Sequence, residues 1–275
     1  MLTKYKYPII IILFLINILG FWYINLRVYT IDKIEIPHAR LAETLKDLTI
    51  VHISDMHIRR DGIYSHRIQK SINSLEPDIL FVTGDLIKGP EKIDEALEFF
   101  SHVKSRFGIF YVPGNYDHTY ADLNKVLDLF DGLQRLGVHV LFNRSLRCTV
   151  IRDGQTRSFY ISGIDDLVTF HDDIDDALSG CTEDLPAILL SHSPKIFKKA
   201  VAHDVDVVLS GHTHGGQIYI PYITQRLTRK YFIGSYLKGY HYTQGTHIFI
   251  NRGLGASLVP VRLFALPQIA VLEFT

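Results

Sequence analysis

The chain has 275 residues, 47% of them hydrophobic, enough to bury a sizeable core as one domain with an appendage. Lys plus Arg and Asp plus Glu number 29 each, which removes any electrostatic case for a nucleic-acid partner. The 2 cysteines, Cys148 and Cys181, are too few and too far apart for a thiolate metal site or a disulfide scaffold.

Residues 8–24 carry no charge, and Asn17 is their one strongly polar side chain. As a helix this run spans about 25 Å, slightly short of a hydrocarbon core of about 30 Å unless Tyr5, Tyr7 and Leu26 extend it. Tyr5 and Tyr7 before the run and Trp22, Tyr23 and Tyr29 after it fit interfacial belts. A signal peptide competes, because Lys4 and Lys6 precede the run. Phe21-Trp22-Tyr23, however, stands where a small-residue cleavage site belongs. A single-pass, uncleaved anchor over residues 1–28 is therefore expected, with a buried soluble helix as the third option. Arg27, Lys33 and Arg40 balance Lys4 and Lys6, so the side of the membrane stays open.

Residues 29–46, with Pro37, read as a polar connector, either an extended tether or a first edge strand. The folded domain is expected over residues 47–275. There, apolar β-branched runs alternate with helix-period segments. Leu48 to Ile53 ends in Ser54-Asp55-Met56-His57, and Asp78 to Thr83 ends in Gly84-Asp85. A helix opened by Pro90 follows, running to Lys104. Gly108 to Val112 ends in Pro113-Gly114-Asn115-Tyr116-Asp117. A helix over Leu123 to Leu136 leads to short strands near Val138 to Phe142, Arg147 to Ile151 and Phe159 to Ile161, with an Asp153-Gly154 turn. Ala187 to Leu190 ends in Ser191-His192, and a helix then reaches Ala202. Gln217 to Ile220, His247 to Asn251 and Ile269 to Phe274 read as further strands. Strand, crossover helix, strand implies an α/β architecture with ligands outside the carboxyl ends of the strands.

Leu209-Ser210-Gly211-His212-Thr213-His214-Gly215-Gly216-Gln217 is the densest of these strand ends. Residues i and i+2 of an extended chain share a face, so both imidazoles can converge on one point. Alone, the pair reads equally well as solvated loop histidines. Collected with Asp55, His57, Asp85, Asn115 and His192, it becomes a mixed oxygen and nitrogen ligand set. Such a set exceeds the needs of one ion and suits two that share a carboxylate.

The ordered series Asp-x-His, Gly-Asp, Gly-Asn-x-Asp, a strand-ending His and Gly-His-Thr-His resembles the calcineurin-like metallophosphoesterase family, from about Leu48 to the C-terminus. That resemblance implies a four-layer α/β/β/α sandwich of two mixed sheets. It implies one ion on Asp55, His57, Asp85 and His214 and another on Asp85, Asn115, His192 and His212. Manganese is favoured, with iron or zinc as alternatives. The implied reaction is hydrolysis of a phosphoester by a metal-bridging hydroxide.

The family's usual Gly-Asn-His-Asp carries a proton-donating His where this chain has Tyr116. A phenol titrating near pH 10 is a poorer donor at neutral pH. Either His118 takes over or the leaving group needs little protonation. The second option points to a diphosphate or activated diester, as in the related diphosphatase that cleaves UDP-diacylglucosamine in lipid A synthesis. The segment from Gly215 to Phe232, rich in aromatics and cations, and Asn251-Arg252-Gly253-Leu254-Gly255 resemble a small membrane-associated branch of the family. Arg59 and Arg252 are the expected phosphate contacts, with Arg60 a weaker choice. A membrane-anchored enzyme with a lipid-linked substrate, at a bacterial inner membrane, is the expectation. The alternatives are a phosphomonoesterase or general phosphodiesterase on a soluble or cell-envelope substrate, and a metal-bound scaffold without turnover.

Overall fold

A computed structural model describes residues 7, 11–13, 20, 28–58, 62–119, 123–152, 154–228, 236–257 and 260–275. In chain order the strands are β1 (Thr30–Ile36), β2 (Ile50–Ile53), β3 (Ile79–Thr83), β4 (Ile109–Val112), β5 (Val138–Val140) and β6 (Arg144–Arg152). Then come β7 (Gln155–Gly163), β8 (Ala187–Leu190), β9 (Val207–Ser210), β10 (Gly239–Thr243), β11 (Thr246–Ile250) and β12 (Gln268–Phe274). They form two six-stranded sheets, ordered β1-β12-β2-β3-β4-β5 and β10-β11-β9-β8-β7-β6. Both sheets are mixed. β2 to β5 run parallel while β12 opposes β2; β7, β8, β9 and β11 run parallel while β6 and β10 are antiparallel to their neighbours.

The central strands read as continuous apolar runs because both their faces are covered. Alternate residues serve different cores. Phe81, Phe110, Phe159, Leu190 and Phe249 pack between the two sheets. Leu80 and Val82, on the other face of β3, meet Ile68, Ile72, Phe99 and Leu129 from helices Gly62–Ser74, Ile93–His102 and Leu123–Arg135. Leu189, Val208 and Ile250 meet Ile196, Phe197 and Ala200 on the far side of the second sheet. Helix, sheet, sheet, helix is the layer order expected from the resemblance.

Two expectations change, and a third falls mostly outside the described residues. Of the two readings of residues 29–46, the edge strand holds and the tether does not: β1 pairs with β12 from Thr30↔Gln268 to Ile36↔Phe274, and helix Ala39–Leu45 buries Leu41 and Leu45. The folded unit therefore begins at Thr30, ahead of the expected boundary at Asp47. Gln217 to Ile220 forms no strand, because Gly215, Gly216 and Gln217 take positive φ and turn the chain, leaving an isolated bridge at Ile218↔Leu263. The expected membrane helix over 1–28 lies largely outside the described residues. Among those described, no helix is long and apolar enough to cross a membrane.

Phe81 is fully buried between the sheets. Phe81→Ala is expected to cost about 3–5 kcal/mol of stability in chemical denaturation, because the sheets cannot close the resulting cavity.

Candidate metal centre

The carboxyl ends of β2, β3, β8 and β9 meet where the two sheets abut. His57 Nε2 and His214 Nε2 lie 3.2 Å apart, and His214 Nε2 is 3.5 Å from Asp55 Oδ1. His212 Nδ1 and His192 Nε2 lie 3.1 Å apart. Asp85 Oδ2 joins the two groups, 3.5 Å from His57 Nε2 and 3.3 Å from His192 Nε2. Two clusters of ligand type result, Asp55 with His57 and His214 and Asp85 with His192 and His212, each with its ligand atoms within 4.8 Å of one another. Asn115 opens the short helix Asn115–Thr119, and its Oδ1 is buried without a hydrogen-bond partner. Oxygen and imidazole donors without a thiolate suit divalent cations. An orphaned amide oxygen, with pairs of imidazole nitrogens aimed at shared space, fits such ions better than a purely structural network.

The backbone here is unusual. Asp55, His57, Asp85, His212 and His214 all take positive φ, between 42° and 68°, a region L-residues seldom adopt. A strand continuing straight would point these side chains past the seam between the sheets; the left-handed turn brings them back into it. Gly84, at φ 74°, is required as glycine, since a Cβ would come within 2.7 Å of His192 Nδ1. Gly211 likewise leaves room for Ser54 and Asp55.

Electrostatics match this arrangement. Burial pushes His57 down to about 4 and His212 to about 3, and with help from Arg262 it holds His214 well below the ordinary range. These imidazoles are neutral, as ligation requires. Burial raises Asp55 to about 6, against the pull of His192. Burial opposes the charge on Asp85, yet His192, His57 and His212 hold its carboxyl below the usual range. His192 goes the other way: burial opposes its charge, but Asp85 and Asp55 raise it to about 10. The carboxylates demand a cation, and the proton on His192 supplies one.

A surrounding shell fixes these groups. His192 Nδ1 donates to the Thr83 carbonyl at 2.8 Å, which turns Nε2 toward the carboxylates. Asp55 accepts from Ser54 Oγ at 2.6 Å and from His212 N at 2.9 Å. Asp117 is fully buried and accepts from Asp85 N, Leu86 N, Gly114 N and the Tyr111 hydroxyl, clasping the loop after β3 to the loop after β4. Arg262, also fully buried, donates to the carbonyls of Gly253, Gly255 and Ala265 and places its guanidinium 3.1 Å from His214 Nδ1. Neither role is marked by the motifs themselves. Asp117 was visible as the last residue of Gly-Asn-x-Asp, whereas Arg262 follows an apolar stretch with no pattern to mark it.

The remaining expected residues are placed as follows. The Tyr116 ring stands edge-on to His57, with centroids 4.8 Å apart, and its hydroxyl is 3.1 Å from Ser257 Oγ. His118 Nε2 lies 2.6 Å from Asp165 Oδ1, and its ring stacks on His171. Burial lowers the pKa of His118, but the Asp165 hydrogen bond and charge outweigh that and leave it raised. Arg252 turns away from the centre. Its guanidinium binds Asp32 at 2.7 Å, Thr30 and the Leu266 carbonyl, which ties it to β1. Arg59 lies outside the described residues.

The calcineurin-like phosphoesterase profile matches residues 48–216. The chain belongs to that family. A zebrafish (Danio rerio) transmembrane protein with metallophosphoesterase domain is 32% identical over 86% of this chain, and the match spans 55% of the zebrafish protein's length. The metallophosphoesterase YkuE of Bacillus subtilis is 30% identical over 88% of this chain and 82% of its own. A metallophosphoesterase of Aquifex aeolicus is 28% identical over 91% of each. Family membership makes this chain a metal-dependent phosphoester hydrolase, and the clusters at the sheet seam are its candidate metal-ligand groups.

Two outcomes are expected. With His192 charged up to about pH 10, a divalent ion must expel its proton, so metal affinity should rise about tenfold per pH unit between pH 7 and 9. Below about pH 6 the dependence steepens as Asp55 also takes a proton. Calorimetry in buffers of differing ionisation enthalpy measures the proton count. Asp117→Ala leaves the Asp85 and Gly114 amides without their acceptor and should weaken metal binding about 10–100-fold in chelator competition, with the ligands themselves intact.

Proposed function

We propose that this chain hydrolyses a phosphodiester or diphosphate bond with two divalent ions, manganese favoured, on a substrate presented at a membrane. Asp55, His57, Asp85 and His214 would hold one ion, and Asp85, Asn115, His192 and His212 the other. The observation that carries this reading is the position of Asp85 Oδ2, within 3.5 Å of an imidazole from each group. When bound, such a pair activates water and neutralises charge on the phosphoryl group.

The chain's own residues set what kind of ester is cleaved. Tyr116 occupies the proton donor's usual position, and a phenol with an ordinary pKa near 10 gives up a proton reluctantly at pH 7. His57, edge-on to that ring, is buried. Leaving groups that depart as stable anions, phosphates above all, need no donor there. This favours diphosphates and activated diesters over alkyl monoesters. His118 is already committed to Asp165 and is the secondary choice of proton donor. Lys88 hydrogen-bonds the Ser257 carbonyl beside Tyr116 and bears electrostatically on His57, so it replaces Arg252 as the cation best placed for a substrate phosphate.

The uncharged run 8–24 supports membrane anchorage, as does the zebrafish relative named a transmembrane protein. An anchored hydrolase without a strong proton donor fits a lipid-linked diphosphate, of which UDP-diacylglucosamine is one chemical example.

Asp85→Ala should lose metal and turnover together, whereas Tyr116→Phe should keep its metal content by elemental analysis. Tyr116→His should raise kcat/KM for alkyl esters on the order of 10–100-fold while leaving diphosphates nearly unchanged, because a proton donor helps only the poor leaving group. Assays with manganese against nucleotide-diphospho-lipids, aryl diesters and aryl monoesters rank the substrates. Cleavage of monoesters alone removes the diphosphate reading.

A further inference from the structure

We propose that the edge of the sandwich carrying the metal centre faces the lipid bilayer and rests on it through exposed apolar side chains. The inference depends on the proposed insertion of residues 8–24, and it adds an orientation that insertion alone does not specify.

The first support is strand register. Thr30, where β1 starts, pairs with Gln268, and β12 then runs antiparallel to β2 with Ala270 opposite His52. Extending that register by two residues sets Gln268 level with Ser54, next to Asp55. The chain thus enters the fold at the carboxyl edge of β2, about 10 Å across the sheet from the first metal ligand, at about 4.8 Å per strand. It is also fastened there. The Tyr29 hydroxyl donates to the Arg67 carbonyl and its ring meets Tyr64 edge-on, while Arg252 holds Thr30 and Asp32.

The tether length then decides between the two ends of the sandwich. From Ile24 to the fastened Tyr29 the chain reaches no more than about 18 Å, at about 3.6 Å per residue. β1 alone has 7 residues and rises about 20 Å from Thr30 at the metal edge to Ile36 at the opposite edge, at about 3.3 Å per residue. A bilayer holding residues 8–24 is therefore within reach of the metal edge and out of reach of the other. A side-on arrangement would press the face of β1 against lipid, and that face exposes the Lys33–Glu273 ion pair.

The surface at the metal edge is suited to the contact. Ile63, Phe170, Tyr222, Ile223, Leu227 and Phe264 are 55% to 91% exposed. Each belongs to a segment that leaves the carboxyl end of β2, β7, β9 or β11, the strand ends that also carry Asp55 and His212. Arg226, in the short helix Ile223–Thr228, and Lys238, whose Nζ sits 3.5 Å over the Tyr219 ring, add cations among these apolar groups. Apolar side chains that enter the acyl boundary beside cations that meet phosphate headgroups make an interfacial surface. Seated this way, the metal centre draws its substrate from the headgroup layer and needs no lipid to leave the bilayer.

The test uses the full chain in nanodiscs containing brominated phosphatidylcholine. Trp22 is the single tryptophan and reports insertion of the N-terminal run in the wild-type protein. In a Trp22→Phe background, Leu227→Trp and Phe264→Trp report the metal edge, and Ile151→Trp, 66% exposed at the β6–β7 hairpin, reports the opposite edge. Metal content confirms that each variant is folded. The expected result is quenching of Trp22 and of both metal-edge reporters, at least about twofold above the residue 151 reporter. Quenching of Trp22 without quenching at 227 and 264 overturns the orientation and leaves the anchor standing. Absence of quenching at Trp22 overturns both.

Discussion

The constraint on which the rest depends is a carboxylate buried between two sheets. Asp85 is 1% exposed, and an ionised carboxylate at such a site is tolerable only if positive charge surrounds it. Charged His192 lies 3.3 Å from its Oδ2 and supplies that charge, neutral His57 lies 3.5 Å away, and Asp117 accepts from the Asp85 amide. The ligands come from strands of both sheets, so the sandwich cannot slide along its seam without breaking the clusters. The apolar layer of Phe81, Phe110, Phe159 and Phe249 behind the seam holds that registration mechanically.

Strain is concentrated at the same place. Left-handed backbone at Asp55, His57, Asp85, His212 and His214 carries an energetic penalty at each residue, and the network around them offsets it with hydrogen bonds to Asp117, Ser54, Arg262 and Thr83. This is the inverse of a relaxed loop. The side chains are pre-aimed, so binding a cation requires little reorganisation and each donor is already stripped of water. The neutral state of His57, His212 and His214 follows from the same burial. Burial thus leaves these three imidazoles in the neutral form that ligation requires, whereas His192 keeps its proton.

Chemistry and location reinforce each other at the surface of this centre. Tyr116 stands edge-on to His57, where the family's usual motif carries a histidine. Arg252 fastens β1 beside the candidate centre through Asp32. One arginine thereby links the point where the chain enters the fold to the floor of the reactive edge.

Much of the architecture was legible from local pattern. Apolar β-branched runs ending in Asp, Asn or His located the central strands to within a few residues, since burial on both faces leaves a continuous hydrophobic signature. Their order along the chain sufficed to recognise the family, and i, i+2 spacing indicated that His212 and His214 act together. Tertiary structure alone decided which groups meet: His57 and His214 approach across 157 residues of sequence, as do His212 and Asp55. Edge strand β1 has alternating burial with charges on its open face, so it read equally well as a tether, and only its pairing with β12 resolved the matter. Arg252 and Arg262 show the same limit. A guanidinium's partner is set by whichever carboxylate or carbonyl the sheet order brings within 3 Å or so, and no local periodicity records that order.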